Sequence, residues 1–340
     1  FSICIIDENI KKIYLVRDRF GIKPLYYHYD SFKKTLYFCS EIKGIAELKN
    51  INTQINDKEA FKFFNQGLIN SSGETWFKNI FQVKPSHFIE YSNDKIIEKK
   101  YYFLENQIDE KQDEKKISFK TYMNDFKEKL QESFKEHNQF DVKAGIHLSG
   151  GVDSAVLAAM SNYNNKEYNS YTFDFEQEKF SELKYAKRIT DSTNLKNYSS
   201  ILKEKDLPYY LLKVIGREYE PFSSLRILSQ HHLYDTYKDD CRVILDGNGG
   251  DEIGAGYNYQ MIPWYLDLQR KKHTIRNKNR FLKYIDLVKN DTIDKNQFIK
   301  GSFSYFRRPG SATIDGSYYK NNLLFNNDFM SKNYNQKINK

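Results

Sequence analysis

The chain has 340 residues, which is long for one domain and favours two. Its 39% hydrophobic and 29% charged residues are ordinary for a globular protein, and 27 Tyr and 25 Phe beside only 6 Pro exclude a fibrous or disordered chain. The net charge of +8 would suit an anionic partner, but a solvated helical face explains the densest basic stretch, residues 270–283, better than a nucleic-acid site does.

Short apolar runs with strand composition alternate with turns in the first part of the chain. These runs are residues 1–6, 13–16, 24–29, 36–39 and 86–91. Residues 57–64 have a helical pattern, with Asp57 as the expected N-cap. Residues 105–116 are nearly all Glu, Gln, Asp and Lys without an apolar period, which is typical of a linker.

Cysteine usage and hydropathy indicate the compartment. Cys4, Cys39 and Cys241 lack metal-binding spacing and cannot all pair with one another, so we expect reduced thiols in a cytoplasmic protein. No stretch approaches the roughly 18 apolar residues of a membrane span, and we expect no membrane partner. Because Phe1 falls inside an apolar, strand-like run, we also expect that the chain is cut at its start.

After the linker, helical patterns alternate with short buried strands. Helices are predicted over residues 119–134, 155–163, 182–190 and 224–237, and strands over 144–148, 170–173, 211–214 and 242–245. This alternation predicts a mostly parallel, doubly wound sheet of the α/β class. The end of the chain, residues 315–340, is rich in Asn and Lys and weakly patterned.

The most informative segment joins a predicted strand to a predicted helix. Its members are Leu148, Ser149, Gly150, Gly151, Val152, Asp153 and Ser154. The two glycines allow a tight turn close to a ligand, and the helix start offers free N–H groups and a positive dipole end. With two serine hydroxyls added, the loop suits a phosphate or pyrophosphate. Asp153 would repel a bare phosphate, so its presence implies a bridging Mg²⁺.

This segment lacks the Gly-Lys-Ser/Thr of a Walker A loop. It matches instead the Ser-Gly-Gly-x-Asp-Ser loop of enzymes that split ATP into AMP and pyrophosphate.

A second glycine-rich loop follows another predicted buried strand. Its members are Asp246, Gly247, Asn248, Gly249, Gly250, Asp251 and Glu252. Because ligands bind at the carboxyl ends of the strands in a doubly wound sheet, we expect this loop to face the first. A solvated turn is the alternative. Asp251 is the candidate for a second Mg²⁺ ligand, direct or through water.

Together the two loops resemble the synthetase domain of glutamine-dependent asparagine synthetases. Further matching segments, in the family's order, are 17–27 and 38–43 of its glutaminase domain, 181–186 (Ser-Glu-Leu-Lys-Tyr-Ala), Glu220-Pro221 and 254–257. The resemblance covers residues 1–102 and 144–259 and is weak beyond.

The resemblance implies a domain organisation. Residues 1–103 would be the C-terminal part of an α+β glutaminase domain of the N-terminal-nucleophile type, and residues 104–117 a linker. Residues 118–340 would be a doubly wound, parallel-sheet ATP-pyrophosphatase domain that is cut at its C-terminus.

The resemblance also implies a reaction. Members of the family bind ATP and Mg²⁺, activate the side-chain carboxylate of aspartate as an acyl-adenylate, and let ammonia from glutamine displace AMP. A carboxylate is inert to amines until its oxygen becomes a good leaving group, and metal-clamped phosphates stabilise the charge that develops. We therefore expect small-molecule substrates and no nucleic acid; a homodimer is compatible with the resemblance.

Residue roles follow from the same resemblance. The implied nucleotide-binding residues are Leu148 and Phe173 beside the adenosine, Asp246 and Gly247 beneath the nucleotide, and Ser149, Gly150, Gly151, Asp153 and Ser154 around the pyrophosphate. The implied catalytic residues are Asp153, Asp251 and Asn248, and the implied metal ligands are Asp153 and Asp251.

The sequence departs from the family at two points. Cys4 matches the middle of the glutaminase domain, so it is not the N-terminal nucleophile, and we expect no glutaminase activity from this chain. Many members carry Glu where this chain has Asn248, and an amide cannot take up a proton from attacking ammonia. Two alternatives stay open: amidation of a carboxylate other than aspartate, and a non-catalytic nucleotide-binding protein.

Overall fold

The computed structural model describes residues 1–70, 72–107, 118–163, 167–177, 181–222, 224–254 and 256. The basic stretch at 270–283, the Asn/Lys-rich end, Tyr257 and most of the predicted linker lie outside these residues. No helix within the described ranges is long and apolar enough to cross a membrane.

The chain forms two compact units. Unit 1 holds Phe1–Ser118 together with Leu211–Leu225, and unit 2 holds Phe119–Tyr210 and the described residues from Arg226 onward. The predicted domain limits at residues 103 and 118 stay predictions.

Unit 1 contains two antiparallel sheets. Its strands and helices are β1 (Ser2–Asp7), β2 (Lys12–Arg17), β3 (Tyr26–Asp30), β4 (Thr35–Cys39), α1 (Ile42–Ala46), α2 (Asp57–Gln66), β5 (Phe81–Gln82), β6 (His87–Ser92) and β7 (Lys95–Lys100). One sheet has the order β1-β2-β6-β7 and the other β4-β3-β5. Leu15, Val83 and Ile89 are fully buried in one core of this unit.

Unit 1 differs from the predictions in one helix cap and in three elements that were not predicted, α1, β5 and β7. The N-cap of α2 is Asn56, whose side chain accepts the N–H of Lys58 at 3.2 Å, so the assignment of Asp57 was wrong by one residue. Asp57 lies in the first turn, where its charge suits the helix dipole. Strand β7 was not predicted because its sequence, Lys-Ile-Ile-Glu-Lys-Lys, is mostly charged and exposed, as befits the edge of the sheet.

Glu220 ties the returning segment Leu211–Leu225 to the rest of unit 1. Its carboxylate accepts hydrogen bonds from Asn70 Nδ2 at 2.9 Å, the N–H of Trp76 at 3.3 Å and the Tyr26 hydroxyl at 3.4 Å. Burial raises the pKa of this carboxyl above its ordinary value, although the three donors partly offset the rise. The carboxylate therefore joins three separate parts of the unit, at a cost in desolvation.

This contact predicts a pH dependence of stability. Because the pKa of Glu220 is raised in the folded state, its contribution is present below the unfolded value of 4.5 and is lost as pH rises through the folded pKa. Glu220→Gln should flatten the decline of the unfolding free energy above pH 4.5, measured by denaturant titration. Glu220→Ala should cost about 1–3 kcal/mol because it leaves partly buried donors unpaired. Glu8→Gln, at an exposed turn, is the control, and an unchanged slope in Glu220→Gln would contradict the prediction.

Unit 2 is built on a parallel sheet. In chain order its elements are α3 (Phe119–His137), β8 (Ala144–His147), α4 (Val152–Ser161), β9 (Tyr168–Phe175), α5 (Leu183–Thr193), β10 (Lys196–Leu202), α6 (Leu207–Glu218), α7 (Arg226–Tyr237), β11 (Val243–Leu245) and α8 (Gly250–Gly254). The strand order is β10-β9-β8-β11, and every neighbouring pair is parallel. The predicted α/β class with helices between parallel strands is thereby confirmed.

The predicted strand at 211–214 was wrong, because these residues lie in α6, whose last residues from Leu211 belong to unit 1. The apolar run there follows a helical spacing, and only Val214 of the four is buried. The strand missing from the prediction is β10, with the sequence Lys-Asn-Tyr-Ser-Ser-Ile-Leu. Its buried Ser200 bonds to His232, so a polar residue fills a core position that hydropathy does not identify.

Candidate active site

The first loop connects β8 to α4 and rests against the start of α5. Gly150 has φ +77°, and a Cβ placed there would lie 2.6 Å from the Cβ of Tyr185 and 3.2 Å from the backbone nitrogen of Ala186. Only glycine combines this backbone conformation with so close an approach. Tyr185 and Ala186, within the segment 181–186 that resembles the family's Ser-Glu-x-x-x-Ala motif, therefore lie directly against the first loop.

Hydrogen bonds within the loop fix its shape. Ser154 Oγ accepts the N–H of Ser149 at 3.2 Å and donates to the carbonyl of Gly151 at 3.1 Å, and Ser154 is buried. Ser149 is exposed, and its Oγ accepts the N–H of Gly151 at 3.3 Å. Ser154 thus holds the turn, whereas Ser149 is exposed beside the first turn of α4, whose N-cap is Gly151. A helix start of this kind offers N–H groups to an anion.

The second loop meets the first, as predicted. It follows β11, which pairs in parallel with β8, so both loops leave the same edge of the sheet. A Cβ on Gly247 would lie 2.9 Å from the Cβ of Asp153, and a Cβ on Gly250 would lie 2.5 Å from its Cγ. At both positions a larger residue would displace the Asp153 side chain, which fills the space.

Carboxylates converge where the loops meet. The pKa of Asp153 is raised, first by burial and then by the negative charges of Asp251 and Glu252. Oxygen donors of this kind, beside exposed N–H groups, fit Mg²⁺ together with phosphate oxygens. Within the part of the chain that the structure describes, no group of three His, Cys, Asp or Glu side chains is arranged to hold a metal ion by itself. The protein donors present would therefore need phosphate or water oxygens to complete a metal site.

Asp246 begins the second loop and is held from two sides. Its Oδ2 lies 2.8 Å from Nδ1 of His147, and its Oδ1 accepts the N–H of Asn248 at 2.8 Å. The hydrogen bond from His147 is the main reason that the pKa of Asp246 is lowered. Sequence reasoning missed His147, although a polar residue at the carboxyl end of an apolar strand was a usable signal.

The remaining predicted residues lie at different depths. Leu148 is 1% exposed and packs with Ala158 and Ala186, so its side chain belongs to the core. Phe173 is half-buried on β9, and its ring meets Phe175 edge-to-face at 4.9 Å. Asn248 is exposed in the second loop. The nucleotide-binding and catalytic roles assigned to these residues stay predictions.

Comparison with known protein families gives two matches. Residues 125–322 match the family model described as asparagine synthase, and residues 1–102 match the glutamine amidotransferase domain.

Individual relatives agree with these matches. A putative glutamine-hydrolysing asparagine synthetase 2 of Methanocaldococcus jannaschii is 30% identical over 276 residues, which cover 80% of this chain and 52% of the relative. The glutamine-hydrolysing asparagine synthetase 1 of Bacillus subtilis is 27% identical over 266 residues, covering 78% and 41%. The chain therefore spans about half the length, or less, of these curated relatives.

A solved structure, that of glutamine-dependent NAD⁺ synthetase from Acinetobacter baumannii in complex with adenosine diphosphate, matches with a TM-score of 0.30 at 11% identity. The match covers 76% of this chain and 61% of that one. Since so low a score establishes no common fold, the fold of unit 2 is taken from its strand order and parallel pairing.

Proposed function

Because this chain belongs to the asparagine synthase family, we propose that it is part of an ATP-dependent ligase, a glutamine-dependent amidotransferase. The observation that carries the proposal is the meeting of the two loops, which brings Asp153, Asp251 and Glu252 beside a glycine turn and a helix start. Clustered negative charge around the half-buried Asp153 would be unfavourable without a cation, and a nucleotide with Mg²⁺ would supply both the cation and acceptors for the N–H groups.

We propose roles for the residues around the turn. Ser149 and the N–H groups of Gly150, Gly151 and the start of α4 hold the pyrophosphate end of ATP. Asp153 and Asp251 bind Mg²⁺, which neutralises charge that develops on the phosphates when it is bound. Gly247 lets the second loop approach Asp153 closely enough for the two loops to act on one ligand.

The proposed reaction has two steps. An oxygen of the acceptor carboxylate attacks the α-phosphorus of ATP, and the bond to pyrophosphate breaks. Ammonia then attacks the activated acyl carbon, AMP leaves with the electron pair of its bond, and a proton is lost from nitrogen. We propose aspartate as the acceptor and a cytoplasmic setting; the free thiols of Cys4, Cys39 and Cys241 support the latter.

A second candidate has the same chemistry with another carboxylate as acceptor. Asn248 favours it, because this exposed residue replaces the Glu that many members carry and cannot act as a base in the nitrogen step.

ATP–pyrophosphate exchange tests the proposal. The protein that contains this chain is incubated with ATP, Mg²⁺, labelled pyrophosphate and one carboxylate at a time, with aspartate compared against glutamate, succinate and no acceptor. Exchange that depends on aspartate supports asparagine formation, and exchange with another acid supports the second candidate. ATP binding without exchange for any acid would favour a non-catalytic nucleotide-binding protein and contradict the proposed reaction.

A further inference from the structure

His147 is the last residue of β8 and lies directly before the first loop, yet the reaction proposed above does not use it. Its Nδ1 lies 2.8 Å from Asp246 Oδ2. Because a carboxylate only accepts hydrogen bonds, Nδ1 must carry the proton and donate. With the N–H of Asn248 on Oδ1, both oxygens of Asp246 are fixed, one by β8 and one by its own loop.

Packing confines the imidazole of His147. Its ring packs against Tyr237, with 5.4 Å between the ring centroids, and the side chain is 22% exposed. Nε2 is buried and has no hydrogen-bond partner among the described residues. The ring is thereby held between Tyr237 and Asp246.

Asp246 lies next to the proposed phosphate site, but its side chain points elsewhere. Its neighbour Gly247 packs against Asp153, while Asp246 itself turns to β8. A carboxylate repels phosphate oxygens, so it suits hydroxyl or amino donors instead. Each of its oxygens has two lone pairs, and one of them is already used, which leaves acceptor capacity on both.

We infer that His147 is a positioning residue that holds the Asp246 carboxylate as an acceptor for hydroxyl or amino groups on the nucleoside part of ATP. The inference rests on the proposed function and deepens it. A side chain whose orientation is fixed before the ligand arrives loses less conformational entropy on binding. His147 therefore contributes to nucleotide affinity through Asp246, without touching the reacting atoms.

Binding of a non-cleavable nucleotide tests this role separately from the chemistry. The dissociation constant of the α,β-methylene analogue of ATP, with Mg²⁺, is measured by calorimetry for the native protein and for His147→Phe, His147→Asn and His147→Gln. Phe keeps the ring that packs on Tyr237 but has no donor. Asn places its amide nitrogen near the position of Nδ1, whereas Gln places it near Nε2, so the two amides share one chemistry and differ in reach.

We expect His147→Phe and His147→Gln to weaken binding about tenfold or more, since they remove a hydrogen bond to a charged group. His147→Asn should stay within about threefold of the native value. In the exchange assay the KM for ATP should follow the same order, with kcat at saturating ATP little changed. The control is His137→Phe, at the exposed end of α3, which removes a comparable Nδ1 contact, 2.8 Å to the carbonyl of Ser133, and should leave the dissociation constant unchanged.

Thermal melting of each variant shows whether weaker binding comes from misfolding. If His147→Phe is unstable, the comparison of His147→Asn with His147→Gln still tests the inference. Native affinity in both His147→Phe and His147→Gln would overturn the inference, as would His147→Asn binding no better than His147→Gln. A loss confined to kcat would overturn it too. If the native protein does not bind the analogue, this inference and the proposed function both fail. If the native protein binds the analogue and the His147 variants bind it equally well, only the inference fails.

Discussion

Replacing Asp153 by Asn is expected to lower ATP–pyrophosphate exchange by roughly two to three orders of magnitude, in the range seen when a charge-stabilising group is removed from an active site. Asp153 is the residue on which both loops converge, with Gly247 and Gly250 packed against it. Asn has nearly the same shape and keeps the loop packing, but its amide is a much poorer magnesium ligand than a carboxylate. The variant thereby separates the charge of the side chain from its volume.

The same substitution should not destabilise the fold in the absence of nucleotide and metal. Burial and the charges of Asp251 and Glu252 disfavour the ionised form of Asp153, which is why its pKa is raised. Removing that charge relieves the repulsion, so the melting temperature without Mg²⁺ should be unchanged or higher. Asp191→Asn, the same change at an exposed position of α5, is the control and should alter neither quantity. Undiminished exchange by Asp153→Asn would remove this carboxylate from the proposed metal site.

Asn248→Glu is expected to increase ammonia-dependent amidation of aspartate by about 10²-fold, at the lower end of the usual range for a general base. Asn248 is exposed in the second loop, two residues after Asp246, and its backbone N–H already holds that carboxylate. A longer side chain therefore extends into solvent or ligand space without displacing a core group. The gain should appear in the nitrogen step, while ATP–pyrophosphate exchange, which precedes that step, should change much less.

The control for this substitution is Asn248→Gln, which has the length of Glu but no basic carboxylate. Rates of both half-reactions, measured for the native protein and the two variants, separate basicity from reach. If Asn248→Gln accelerates amidation as much as Asn248→Glu, side-chain length is the cause. Fast asparagine formation by the native protein would show that the amide at this position is no handicap.

The parts of unit 2 that could be predicted are those where sequence and geometry constrain each other strongly. Gly150 has a positive φ and lies close to Tyr185, so only glycine fits there. The glycines in this segment of the sequence therefore predicted a tight loop. The meeting of the two loops followed from the rule that strand ends of a parallel sheet share one edge, and the packing of Gly247 on Asp153 confirms it.

Two of the errors share a physical cause, which is that hydropathy does not reveal polar groups that are satisfied inside the fold. Strand β10 was missed because Ser200 is buried through a hydrogen bond to His232. The segment at 211–214 was predicted as a buried strand because it is apolar. Leu212 is in fact 72% exposed, and the composition of a short run does not predict such exposure. His147 was overlooked for the same reason, since its partner, Asp246, lies 99 residues further along the chain.

The return of residues 211–225 to unit 1 has a consequence for the order of events during synthesis. Tyr219 packs against the core around Ile45 and Ile80, and Glu220 bonds to Asn70, 150 residues earlier. On the ribosome, the 107 residues from 119 to 225 must therefore follow Ser118 before the contacts of Tyr219 and Glu220 with the earlier part of unit 1 can form. At typical elongation rates this delay is on the order of ten seconds. During it, the described strands of unit 1 have been synthesised but still lack the contacts of Tyr219 and Glu220, and transiently exposed apolar surface of this kind favours aggregation.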